Sequence, residues 1–165
     1  MSKPIINLAD VALRDIGNGT SFRARAARIG AATGMKQLGC QMIVVEPGQK
    51  AYPFHNHRAN EEMFVILEGS GTYRCGLERL AIKAGDIIAA PAGDSATAHQ
   101  IINTGESVLR YLAISTRLDI EIVEYPDSGK FAAASEIPDG AGMMSARFGF
   151  IGRLKDSVDY YDGEA

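Results

Sequence analysis

The chain has 165 residues, a formal net charge of −3 and a pI near 5.6. That length suits one domain, and a chain of this size buries roughly 70% of its unfolded surface without needing disulfides. The mild acidity argues against nucleic acid or an anionic membrane as a partner drawn in by bulk charge. Cys40 and Cys75 form no CxxC pair, so neither a dithiol redox motif nor a thiolate zinc site is indicated. Residues 1–7 lack the apolar core of a secretory leader, and no apolar run approaches the ~20 residues that span a bilayer. A cytoplasmic protein is expected.

Residues 1–35 read as an N-terminal arm, in which Ser21–Arg28 has a composition compatible with a short helix or a segment lying across the rest. Gly17, Gly19, Gly30 and Gly34 break this arm into short pieces. From Lys36 onward, short β-branched runs alternate with Gly, Pro and Asp. They predict strands at Leu38–Glu46, Glu62–Glu68, Thr72–Cys75, Arg79–Ile82, Asp86–Ala90, Thr97–Asn103, Val108–Ser115 and Ile120–Glu124. Glu68–Gly71 and Asn103–Glu106 read as hairpin tips, Lys83–Asp86 as a tight turn and Pro91–Asp94 as a loop. The pattern predicts an all-β antiparallel sandwich or barrel over 36–118, within a single domain spanning 1–165.

Residues 119–165 form a C-terminal extension, whose Tyr160 and Tyr161 are expected to pack on the barrel while the nearby acids stay solvated. Within 62–67, Glu62, Phe64 and Ile66 share one face, and Met63, Val65 and Leu67 share the other. A sheet with one wet face would carry polar residues there. The outer face is therefore expected to be covered by the arm, the tail or a second subunit, and a homodimer is the predicted assembly.

The chain contains three histidines. His55 and His57 are two apart, and on an extended strand positions i and i+2 point the same way, so both imidazoles can reach one ion. Carboxylates follow at Glu61 and Glu62, and His99 lies in another predicted strand. Taken singly, a His-x-His is a polar surface pair, the acids are solvated charges and His99 is a hydrogen-bonded core residue. Those readings must hold for every histidine in the chain at once. Three imidazoles with one carboxylate suit one divalent ion: zinc, iron, manganese, nickel or cobalt.

The segment Gly48-(six residues)-His55-Asn56-His57-(four residues)-Glu62-(six residues)-Gly69 resembles the first cupin motif. The segment Gly85-(five residues)-Pro91-Ala92-Gly93-(five residues)-His99-(three residues)-Asn103 resembles the second. Two spacings depart from the pattern, one residue longer before His55 and longer between Gly93 and His99, both in loops that tolerate insertion. The resemblance implies a cupin jelly roll, a double-stranded β-helix barrel, with His55, His57, Glu62 and His99 as metal ligands. It selects Glu62 over Glu61, because only Glu62 has the following glycine at the motif's spacing. Alternation with these ligands makes Phe64, Ile66, Thr97 and Ile101 the cavity-lining, substrate-binding candidates.

Over its whole length the chain resembles a narrower group of bacterial cupins. The marks are Pro53–His57 with Asn60–Gly69, Glu124–Lys130 and Asp159–Glu164. Members are sometimes described as sugar-phosphate isomerases. The resemblance implies a metal-dependent isomerase or epimerase of a small sugar or sugar phosphate, with the metal as Lewis acid. Two alternatives stay open: an iron-dependent dioxygenase, and a non-enzymatic module that binds a small metabolite. Arg58, Arg74 and Arg110 are available as phosphate contacts at the barrel mouth, while no residue stands out as the general base. A small-molecule ligand is expected, without nucleic acid or membrane.

Overall fold

The computed structural model describes residues 4–164. Met1, Ser2 and Lys3 of the segment expected to carry no leader lie outside that range, as does Ala165 of the extension. In chain order the strands begin with β1 (Arg14–Gly17) and β2 (Arg23–Arg28), then a short helix α1 (Ile29–Thr33) and β3 (Leu38–Val45). There follow β4 (Asn56–His57), β5 (Glu62–Glu68), β6 (Ser70–Cys75), β7 (Glu78–Lys83) and β8 (Ile87–Ala90). The chain continues through β9 (His99–Ile102), β10 (Leu109–Thr116), β11 (Glu121–Tyr125), β12 (Lys130–Ser135) and β13 (Phe148–Gly152). Among the described residues no helix is long and apolar enough to cross a membrane.

Antiparallel pairing builds one sheet in the order β1-β2-β3-β10-β5-β8. Two smaller sheets, β13-β12-β11-β4 and β7-β6-β9, meet where His55 and His99 form an isolated antiparallel bridge. Side chains from both walls fill one core. Phe64, Ile66, Leu109 and Tyr111 come from the six-stranded sheet, and Tyr73, Ile82 and Ile101 from the other. This is the all-β jelly roll expected from the strand pattern. All eight predicted strands are present, with ends displaced by at most two residues.

Three local expectations are corrected. Ser21–Arg28 is not a helix, because Arg23–Arg28 is β2, pairing with β3 through Ala26↔Ile43 and Ala27↔Met42. Its Arg23-Ala24-Arg25-Ala26 run has period two, with the alanines buried and the arginines exposed. Next, Glu68–Gly71 and Asn103–Glu106 are not hairpin tips. β5 pairs with β8 and β10 while β6 pairs with β7 and β9, so the chain changes sheet at Gly69. A Cβ on Gly69 would stand 2.3 Å from the Val108 carbonyl oxygen at φ +81°, so only glycine fits this corner. The second corner is held by Asn103, fully buried, whose amide donates to the Val45 and Ser107 carbonyls.

The tail supplies the third correction. Tyr160 and Tyr161 are exposed and lean edge-on against each other instead of packing on the barrel. The extension nevertheless belongs to the fold. Its β11, β12 and β13 extend the sheet that carries β4, through pairs such as Val123↔His57 and Val123↔Ala132. Among the described residues neither arm nor tail covers the outer face of β5: β2 adds at the β3 edge, the tail strands lie in the other wall, and Met63 stays 44% exposed.

Candidate metal centre

The two walls bring their chemistry together at one point. The His55–His99 bridge is closed by His55 N–H to the His99 carbonyl (3.1 Å) and the reverse bond (2.7 Å), so these two ligand candidates are locked side by side. His57 follows two residues on in β4, and Glu62 opens β5 on the opposite wall. One oxygen, Glu62 Oε2, lies 2.9 Å from His99 Nε2, 3.4 Å from His57 Nε2 and 3.7 Å from His55 Nε2. Glu61, its neighbour, is exposed. The ligand atoms of His55, Glu62 and His99 all fall within 4.8 Å of one another, a cluster able to hold a metal ion.

The other ring nitrogens have partners of their own. His55 Nδ1 lies 2.8 Å from the Pro53 carbonyl, His99 Nδ1 3.2 Å from the Thr97 carbonyl, and His57 Nδ1 3.2 Å from Glu121 Oε2. Each of these partners is an acceptor, so each Nδ1 carries the hydrogen. With Nδ1 so engaged, each Nε2 can turn a lone pair to a shared cation, whereas in the metal-free cluster His99 Nε2 and Glu62 Oε2 are hydrogen-bonded at 2.9 Å. Converging acceptors repel unless a cation stands among them, and outer acceptors on the distal nitrogens are the usual support of metal-bound imidazoles. The donor set therefore fits a divalent ion.

Electrostatics tell the same story for the metal-free cluster. Burial acts to lower the His57 pKa, but hydrogen bonds with Glu121 and Glu62 outweigh it and hold it up at about 9. Burial dominates at His55 and takes it down to about 4. Burial would raise Glu62, yet its bonds with His57 and His99 keep it well below the usual carboxylate range. The proton held on His57 thus stands where a cation would.

Glu121 was not among the sequence candidates. It is buried, and its carboxylate accepts from the Ala59, Asn60 and Ile122 backbone N–H groups, from the Asn60 side-chain amide, and from His57. Asn60 in turn accepts from the Thr116 hydroxyl and the Leu118 N–H, tying the end of β10 to the site. The sequence held a signal for it: Glu121 shares its face of β11 with buried Val123, and a buried carboxylate requires partners. Asn56, between the histidines, faces the other way and binds the Gly93 carbonyl and Glu124.

A cavity of about 1140 Å³ opens from the cluster and is lined near it by Gln41, Tyr52, Phe64, Ile101, Tyr111 and Tyr125. Of the four lining candidates, Phe64 and Ile101 are on its wall and Ile66 and Thr97 are not. Ile66 does point inward, but one pleat deeper, where it is fully buried in the core. Thr97 donates its hydroxyl to the Asp94 carbonyl in the preceding loop. Alternation gives direction, whereas depth depends on what fills the barrel below. Phe64 packs edge-on against Tyr111 and His99 and closes the floor.

Similarity to known proteins agrees with this geometry. The cupin domain family model matches residues 41–115. An uncharacterized protein of Methanocaldococcus jannaschii is 36% identical over 95 residues, covering 55% of this chain and 72% of that protein. Auxin-binding protein 1 of Arabidopsis thaliana is 35% identical over 103 residues, 57% of this chain and 50% of that protein, so the chain spans only half the length of that relative. A solved cupin-superfamily sugar phosphate isomerase from Silicibacter pomeroyi matches with a TM-score of 0.77 at 25% identity, covering 96% of this chain and 98% of that one. The fold and the candidate site define a β-barrel protein with a His/Glu cluster able to hold a metal. The chain belongs to the cupin family.

Proposed function

We propose that this protein is a metal-dependent isomerase or epimerase of a small sugar or sugar phosphate, with one divalent ion held by His55, His57, Glu62 and His99. The observation that carries the reading is the convergence of three Nε2 atoms on Glu62 Oε2 while every Nδ1 faces an outer acceptor. Four protein ligands leave positions open on a five- or six-coordinate ion, the arrangement of a working site in preference to a closed structural one. A bound divalent ion supplies Lewis acidity toward a carbonyl and its neighbouring hydroxyl. The likeness to the Silicibacter pomeroyi isomerase over nearly the whole chain supports that choice of chemistry.

The chain's own residues prepare the pocket. Tyr52 is raised to about 12 by burial and then by the Glu62 charge, so its hydroxyl keeps its proton at neutral pH and serves as a donor beside the ligands. Gln41 Oε1 stands 3.5 Å from that hydroxyl, and Gln100 fixes the segment by donating to the Tyr52 carbonyl at 2.7 Å. Phe64 and Tyr111 exclude water from below.

The test is proton exchange at the carbon next to the carbonyl, followed by NMR in heavy water across aldose and ketose phosphates and their free sugars. Metal-loaded protein is expected to exchange and interconvert one pair, and chelated protein to do neither. A fully loaded protein inert toward the whole panel would overturn the reading. A second reading, a binding module without turnover, draws support from Auxin-binding protein 1, a relative named for binding. Tight binding without exchange is its signature.

We also infer a homodimer. Met63, Leu67 and Ile87 on the outer face of the β5–β8 edge, and Phe148, Phe150 and Leu154 near the tail, leave apolar surface exposed on both walls. Exposed apolar surface of this kind favours association. Light scattering is expected to give twice the 17.7 kDa chain mass, and a monomer at micromolar concentration would remove the inference.

A further inference from the structure

The arginines available by sequence are committed elsewhere. Arg58 pairs with Glu124 at 2.9 Å, Arg74 with Asp127 at 2.7 Å and Arg110 with Glu68 at 3.5 Å, and none lines the cavity. Arg14, which opens β1, lines it, and so do two others. Arg28 ends β2, and Arg117 immediately follows β10.

Both guanidinium groups hold the same strap. Arg28 Nη1 donates to the Gly140 carbonyl at 3.1 Å, and Arg117 Nη2 to the Pro138 and Ala141 carbonyls at 3.3 and 3.2 Å. Neither meets a carboxylate among the described residues. Carbonyl oxygens satisfy hydrogen bonds but leave the positive charge uncompensated. Each guanidinium offers five N–H groups in a fixed fork, so most of its donors remain for a ligand.

Among the described residues, the cavity-lining Arg14, Asp10, Asp15 and Asp119 form no salt bridge. Lys36 pairs with Asp139, and Asp119 accepts the Glu136 N–H. Small residues let the strap lie close: a Cβ on Gly142 would stand 3.1 Å from Arg28 Nη2. The Tyr52 hydroxyl feels both the Glu62 carboxylate and the Arg28 guanidinium, so the inner cluster and the outer cation act on one volume.

We propose that Arg28 and Arg117 are the phosphoryl-binding groups of this cavity, taking the dianionic end of a substrate whose carbonyl end reaches the His/Glu cluster. Two uncompensated guanidiniums match a dianion in charge, whereas one bidentate arginine already satisfies a carboxylate. The inference rests on the sugar-phosphate reading for the far end of the substrate, and its own claim is the anion site.

Calorimetric titration of metal-loaded protein with fructose 6-phosphate, fructose, inorganic phosphate and glucuronate tests it, with Arg28→Gln, Arg117→Gln and the double variant. Fructose 6-phosphate is expected to bind at least about a hundredfold tighter than fructose, and each substitution to cost it roughly tenfold, as charge-assisted hydrogen bonds do. Fructose binding and metal content should not change. The Arg28→Lys/Arg117→Lys protein, which keeps both charges, controls for folding and should retain part of the affinity.

Phosphate-ester affinity unchanged in the double glutamine variant would overturn the proposal, as would glucuronate binding as tightly as the phosphate ester. Failure of the metal reading would show separately, as wild-type protein without metal that still binds inorganic phosphate through the two arginines.

Discussion

The His99→Ala protein, purified without chelator or affinity nickel, is expected to lose more than about a hundredfold in affinity for its divalent ion, beyond the 10–100-fold that loss of an outer-shell partner costs. His99 is the most buried of the three imidazoles, and its Nε2 makes the shortest approach to Glu62, at 2.9 Å. Alanine there removes a donor and also the backbone-anchored ring that orients the carboxylate. The Glu121→Gln protein keeps all four proposed ligands and loses only the charge behind His57 Nδ1, so its affinity should fall by about 10–100-fold. Elemental analysis with competition titration measures both. Full occupancy in the His99→Ala protein would sink the ligand assignment, and an unchanged affinity in Glu121→Gln would reduce Glu121 to a structural role.

Chelation should destabilise the protein, and by more at alkaline pH. An ion present at a thousand times its Kd adds about 4 kcal/mol, which for a chain of this size corresponds to roughly 8–16 °C in Tm. The pH dependence follows from the metal-free cluster. His57 is raised from 6.5 to about 9, so its contribution is fully present below pH 6.5 and lost as pH rises through 9. His55 is lowered to about 4, so its contribution is present above 6.5 and lost as pH falls through 4. The metal-free protein is therefore most stable near pH 6.5. Metal binding must displace the His57 proton, so apparent affinity should gain about tenfold per pH unit up to pH 9. Scanning calorimetry with and without chelator from pH 6 to 9 reads both effects. A Tm difference independent of pH would contradict the shared proton.

Several features were legible before any coordinates. The β5 run Glu62–Glu68 was readable to the residue, because period-two alternation between glycines leaves few other options. The ligand candidates were legible because the chain has so few histidines and two of them sit at strand spacing. β12 was hidden in a small-residue patch, Ala132–Ser135, whose strand character comes only from pairing with β11 and β13. The false hairpins at Gly69 and Asn103 share a cause. A glycine or asparagine turn reads the same locally whether the next strand pairs with the last or crosses to the other wall.

The sequence by itself determined the fold class and the residues that could meet at one ion, since side-chain type and the two-residue period of a strand are local properties. The tertiary structure alone decided what those residues meet. Pairing of Val123 with His57 brings Glu121 behind the imidazole across 64 residues of chain, and the ends of β2 and β10 bring Arg28 and Arg117 to one strap. Such neighbours are set by long-range strand register, which no local pattern encodes.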